Sequence, residues 1–187
     1  MTDSPFTLHT PETAPEASRP MVEGAQKNFG FVPGPVAAMA ESPELLGTFM
    51  KAVGTFDQTS LEMLEREVVV LTVATYVECH YCVAMHSATL TRQKAPAELL
   101  AALREKAPLA DARLEAIRQF TLAVLTRHGQ VGKEEFDAFF AAGYTRRNAL
   151  EVVMGVGTYT MSTFANRMTA VELDPPFVPF AWEAPAE

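Results

Sequence analysis

Four side chains between Glu67 and His86 carry the most reactive chemistry in this sequence. The stretch reads EVVVLTVATYVECHYCVAMH. It holds both cysteines, Cys79 and Cys82, and two of the four histidines, His80 and His86. Cys79, Cys82 and His86 are spaced by three and four, so on a helix they share one face. The nucleophilic form of cysteine is the thiolate, which a free pKa near ~8.5 keeps scarce at neutral pH. A helix N-terminus favours the anion, chiefly at Cys79. A histidine one turn away can take the proton, and His86 stands four residues after Cys82. The two devices favour different cysteines. The general-base argument makes Cys82 the attacking thiol and Cys79 its resolving partner. Glu67 can orient His86 and stabilise its charged form, as the third member of a catalytic triad does.

The same residues admit other chemistry. Cys79, Cys82 and His86 could be zinc ligands, with His80 or Glu67 as a fourth. The absence of a second Cys or His pair weighs against a metal centre, and the residues themselves assign no metal and no cofactor. Two inert buried cysteines are the bland alternative. His80 reads as a solvated side chain and Met85 as packing. His9 and His128 have no partner visible in the sequence.

Helices must position these groups. Ser60 is the expected N-cap of a helix over 61–76, with Glu62 in its first turn. Its valines favour a strand, but Met63, Leu64, Val70, Leu71 and Ala74 repeat at helical spacing. Glu67 points with that stripe, while Glu62, Glu65 and Arg66 point away. A carboxylate aimed at a core costs several kcal/mol, to order of magnitude, unless it is paired. Val77-Glu78 breaks the pattern, and a second helix is expected over 79–93.

Elsewhere, helices are expected over 21–29, 36–40, 43–56, 96–103, 111–127 and 133–142. Ser42 and Asp111 are caps and Gly30, Gly129 and Gly143 are stops. Thr145 caps a last helix to about Met168. That helix is apolar on nearly all sides, which suits a central buried helix or a subunit interface. Gly155 and Gly157 would permit close backbone approach. The domain reading is an extended Pro-rich tail over 1–20, a helical domain over 21–173 and an extended tail over 174–187. The prolines of the last segment argue against a helix there, although its aromatics can dock on the body. The first tail is expected to be disordered alone, with a neighbouring subunit as the source of any order.

The chain has 187 residues, 48% hydrophobic and 20% charged, as a soluble globular domain would. A net charge of −8 disfavours nucleic acid and anionic membranes as partners. No apolar run suggests a membrane span. The first residues lack a basic start followed by an apolar block. The expected location is the cytoplasm, where thiols stay reduced.

The pattern of Glu67, Cys79, Cys82 and His86 resembles the alkylhydroperoxidase D-like, peroxidase-related branch of the carboxymuconolactone decarboxylase family. The segments FGFVPGPVAAMAESPELLGTFMKA and AAGYTRRNALEVV and the Asn166-Arg167 pair add to the likeness. The resemblance implies an all-α, single-domain multi-helix bundle assembled as dimers, trimers or hexamers. It implies reduction of peroxides by a cysteine pair that cycles through a disulfide and is re-reduced by a partner thiol protein or small dithiol. Cys82 would attack and pass through a sulfenic acid, Cys79 would resolve it, and Glu67 and His86 would relay protons. One position departs from the pattern. The founding peroxidases carry a second relay histidine directly before the second cysteine, where this chain has Tyr81. His80 lies one place earlier, turned by about 100° on a helix. A decarboxylase, a zinc enzyme and a non-catalytic oligomer remain the alternatives.

Overall fold

The computed structural model describes residues 4–185 and is all-helical there, with nine α-helices and one 3-10 helix among the described residues. The helices are α1 (Arg19–Phe29), α2 (Gly34–Met39), α3 (Pro43–Phe56), α4 (Met63–Tyr76), α5 (His80–Arg92), α6 (Ala97–Arg104), α7 (Ala112–Thr126), α8 (Lys133–Ala141) and α9 (Arg146–Thr169). The caps explain most of these limits. The Ser42 side chain accepts the Leu45 N–H, and Asp111 accepts those of Arg113 and Leu114. Thr145 and Asn148 form a reciprocal capping box. Gly30 closes α1 in the left-handed region, at φ 80°.

The central helix is α4, and α9 is not buried all round. Val68 through Thr75 are buried without a break, because α4 packs on α7, α9, α5 and α6. This explains its valine-rich composition, which at the level of local propensity favours a strand: a helix covered on every side has no polar face to show. By contrast α9 buries one side and leaves Leu150, Val153, Phe164 and Met168 exposed. Of its two glycines only Gly155 makes a close approach. A Cβ there would lie 2.7 Å from the Phe56 ring and 2.9 Å from Val69, whereas Gly157 has nothing within 4 Å.

Several expectations are corrected. Ser60 is not the cap of α4; Glu62 holds that place, and Glu65 Oε2 accepts its N–H at 2.8 Å. Ser60 instead donates its N–H and hydroxyl to Glu151 at 2.9 and 2.7 Å. Glu65 does not point to solvent. It is buried, and Arg113 pairs with it at 2.8 Å across to α7.

The N-terminal segment is held by hydrogen bonds to its own chain. Ser4 Oγ donates to the Thr169 carbonyl, the His9 N–H to that of Ala37, and Ser18 Oγ to that of Ala40. The His9 ring bonds Glu41 at 2.7 Å, a partner 32 positions away that no local pattern reveals. At the other end the 3-10 helix Pro175–Phe180 replaces the expected extended path. Proline suits its first turn, where an N–H has no partner within the helix. Of the two tails, residues 1–3 and 186–187 lie outside the described residues. Among the described residues no helix is long and apolar enough to cross a membrane.

Candidate active site

The site is built on the corner between α4 and α5. Glu78 adopts φ 57° and ends α4 in a Schellman motif. Its N–H bonds the Thr75 carbonyl at 3.3 Å, and the Cys79 N–H reaches that of Ala74 at 2.9 Å. Arg167, from α9, donates one nitrogen to the carbonyls of Val77 and Glu78 at 2.5 and 2.6 Å, clamping the corner from outside. Cys79 is therefore at once the end of the α4 cap and the N-cap of α5. Its sulfur accepts the Cys82 N–H at 3.4 Å, so the first turn of α5 directs a backbone N–H at that sulfur.

Cys79 and Cys82 are joined as a disulfide with Cα atoms 5.3 Å apart, inside the range such a bond spans. Both are buried. One turn further along α5 stands His86, also buried. Its Nδ1 lies 2.9 Å from Glu67 Oε2. The inward direction of Glu67 thus has its partner. An Nδ1–H held by a carboxylate leaves Nε2 as the nitrogen that can accept a proton. The Tyr159 ring packs edge-on against His86, with centroids 5.4 Å apart. Burial, then the charges of Glu67 and Asp57, push the Tyr159 phenol up, so it stays protonated. The structure brings Glu67, Cys79, Cys82 and His86 together in two adjoining helices.

It does not bring His80 into that group. The His80 ring turns outward, exposed as expected, and also bonds the Trp182 carbonyl at 2.8 Å, docking the C-terminal segment. Tyr81 is committed as well. Its hydroxyl donates to Asp174 Oδ2 at 2.6 Å, and the same oxygen accepts the Gly34 N–H at 3.0 Å. Burial first, then the Asp174 hydrogen bond and charge, push the Tyr81 phenol well up. It is a fixed donor, ill suited to shuttle a proton. Arg104 completes this anchor: it donates to Ser87 Oγ and to the carbonyls of Phe180 and Ala181, while Trp182 Nε1 donates to its carbonyl.

Residues outside the four-residue pattern complete the surroundings. Asn166, on α9, points its Nδ2 at Cys82 Sγ across 3.2 Å. Tyr159 and Asn166 are two turns apart on one face of α9. A polar amide on the inner face of an apolar helix was the signal available for Asn166. Asp174 and Arg104 gave none, since their partners lie far off in sequence. Among the described residues no group of three or more His, Cys, Asp or Glu side chains is arranged to hold a metal ion.

Comparison with known proteins finds one family model and several similar folds. Residues 40–124 match the model of the carboxymuconolactone decarboxylase family. The fold is similar to a peroxidase-related protein from Ralstonia eutropha JMP134, described as an alkylhydroperoxidase AhpD core. The TM-score is 0.81 at 21% identity, covering 92% of this chain and 93% of that one. A peroxidase-related protein from Silicibacter sp. TM1040 gives 0.77 at 20% identity, covering 95% and 96%. The debrominase Bmp8, as a Cys-to-Ala variant in complex with 2,3,4-tribromopyrrole, gives 0.75 at 18% identity, covering 96% of each chain. A search of curated proteins returned no match. The family resemblance read from the four-residue pattern is borne out, as is the all-α fold of the alkylhydroperoxidase D-like type.

Proposed function

We propose that this chain, whose residues 40–124 carry the carboxymuconolactone decarboxylase family pattern, is a thiol-dependent peroxidase that reduces organic hydroperoxides. The observation that carries the reading is the 2.9 Å contact of His86 with Glu67 one turn from the Cys79–Cys82 pair. The buried imidazole is oriented by a carboxylate and sits on the helix face of the thiols.

In the reduced protein His86 takes the proton of the Cys82 thiol, and Glu67 stabilises the imidazolium. The thiolate attacks the distal oxygen of R–O–OH. The O–O bond breaks with its electron pair leaving on the alkoxide, which takes the proton from His86. Cys82 is now a sulfenic acid, oxidised by two electrons. The Cys79 thiolate attacks its sulfur, the S–O bond breaks, and hydroxide takes the proton released by Cys79. The products are an alcohol, water and the disulfide. A dithiol, protein or small molecule, restores the pair by exchange.

The test is peroxide consumption by the reduced protein with excess dithiol, followed for wild type and Cys82→Ser. Turnover in the first and none in the second is expected; equal rates would remove the mechanism. Fold likeness to the debrominase motivates a second substrate arm. The same dithiol would supply two electrons and one proton to a carbon–bromine bond, giving C–H, bromide, the disulfide and one released proton. Bromide release from a brominated pyrrole, without peroxide turnover, would replace the first reading. Homo-oligomer formation belongs to this reading too. The exposed apolar residues of α9 are the surface available for it, and a monomeric mass by sedimentation would exclude it.

A further inference from the structure

We propose that Asn166 is a catalytic residue of the Cys82 centre. Its amide nitrogen donates to the Cys82 thiolate, and its amide oxygen accepts the hydroxyl of the sulfenic acid formed there. The inference rests on the peroxidase reading for its second half and on geometry for both.

Two observations carry it. Asn166 Nδ2 lies 3.2 Å from Cys82 Sγ, reaching from α9 across 84 positions of sequence. Asn166 Oδ1 is the one buried side-chain nitrogen or oxygen without a hydrogen-bond partner among the described residues. An orphaned acceptor in a buried carboxamide is costly, and native interiors rarely keep one without a use. The residue is 6% exposed, so bulk water does not satisfy it.

The oxidation cycle supplies the missing donor. In the disulfide form the sulfur is a weak acceptor and offers no hydrogen. In the thiolate form Cys82 accepts strongly, and only the Nδ2 face of the amide fits against an anion. When the sulfur gains an oxygen from the peroxide, the resulting S–O–H carries a hydrogen. The hydroxyl is bonded to the atom that Nδ2 already touches, so Oδ1 of the same amide can close a second hydrogen bond. The pairing S···H–N–C=O···H–O–S then joins one carboxamide to one sulfenic acid. Atoms and electrons are those of the proposed cycle, and no further reactant enters. When Cys79 attacks, the hydroxide leaves and Oδ1 is orphaned again, as it stands in the oxidised protein.

The placement of Asn166 suits the role. Thr163, Ala165 and Thr169 around it are buried, and Arg167 beside it clamps the α4–α5 corner, so the amide is held against the sulfur by both flanks. His86 stands one turn along α5 from Cys82, with Glu67 from α4 and the Tyr159 ring from α9 packed against it.

The experiment uses full-length Cys79→Ser, which cannot resolve the sulfenic acid, with and without Asn166→Ala. Iodoacetamide alkylation of Cys82 against pH reads the thiolate. Dimedone capture after one equivalent of hydrogen peroxide reads the sulfenic acid. Loss of the amide should raise the alkylation midpoint by about one unit and shorten the sulfenic acid lifetime about tenfold, the size of one charge-assisted hydrogen bond. Unchanged midpoint and unchanged lifetime overturn the inference while leaving the peroxidase reading intact. If Cys79→Ser yields no sulfenic acid but the alkylation midpoint still moves, the peroxidase reading and the acceptor role fall, and the thiolate contact stands. Should Asn166→Ala lose helicity by circular dichroism, the near-isosteric Asn166→Asp carries the test. It removes the donor and adds a negative charge, so its midpoint should rise further; a midpoint equal to that of Cys79→Ser alone overturns the inference.

Discussion

Glu67 Oε2 and His86 Nδ1 stand 2.9 Å apart, a part-buried contact between the central helix and the helix that begins with the cysteines. It gives an inward carboxylate its partner and fixes which imidazole nitrogen is free.

Glu67→Gln keeps the shape of that contact and removes its charge. Thiol alkylation at neutral pH and peroxide turnover should both fall by about 10²- to 10⁴-fold, the range of a positioned acid-base group. The melting temperature should stay close to wild type, since an amide oxygen still accepts from Nδ1. An unchanged alkylation rate would remove Glu67 from the proposed relay.

The two cysteines should fail differently. Cys82→Ser should consume no peroxide, whereas Cys79→Ser should take up one equivalent as a sulfenic acid and then stop without releasing a disulfide. Mass spectrometry after a single equivalent of peroxide separates the two. The reverse pattern would exchange their roles.

Gly155→Ala should destabilise the fold by about 1–3 kcal/mol, because the added methyl meets the Phe56 ring and Val69 where helix and core have no slack. Gly157→Ala, two residues on and in open space, should instead stabilise α9 by about 0.5–1 kcal/mol. Urea unfolding of the pair measures both signs, and equal effects would mean that α9 does not approach α3 and α4 as described.

Glu151 predicts a pH dependence. Burial raises its carboxyl, but hydrogen bonds from Ser60, Asn148 and Arg147 outweigh this and hold it below the usual carboxylate range. A folded value below the unfolded one contributes stability above the unfolded pKa, near ~4.3, and that contribution is lost as pH falls through the folded value. Glu151→Gln should therefore be less stable than wild type at neutral pH, and the gap should narrow in acid. A gap that holds constant down to about pH 3, below the free glutamate value, would deny the charge any part in it.

Local rules made much of this legible. Ser42, Asp111 and Thr145 announced helix starts that the structure keeps, because a cap is a contact between near neighbours. Cys79, Cys82 and His86 share a face because helical spacing puts them there, and Glu67 was marked by its direction alone. What escaped was set by distant partners. Glu65 is buried because Arg113 comes to it from α7; His9 is ordered by Glu41; Tyr81 is engaged by an aspartate 93 positions later. The burial of α4 on all sides was hidden for the same reason, since periodicity reports a face only when another face is wet. The C-terminal prolines were read as forbidding a helix, yet one short 3-10 turn needs few of the N–H groups that proline lacks.

The corner at Glu78 has a bearing on how such a chain can vary. Carboxylate and thiols sit on different helices, and the only spacer between them is the cap formed by Val77, Glu78 and Cys79. One residue added there would swing α5 by about 100° about its axis, carrying His86 off Glu67 and Cys82 off Asn166 in the same stroke. Substitutions at Glu78 leave the spacing alone; insertions and deletions do not. The number of residues between Glu67 and His86 is thus as much a determinant of this geometry as their identity.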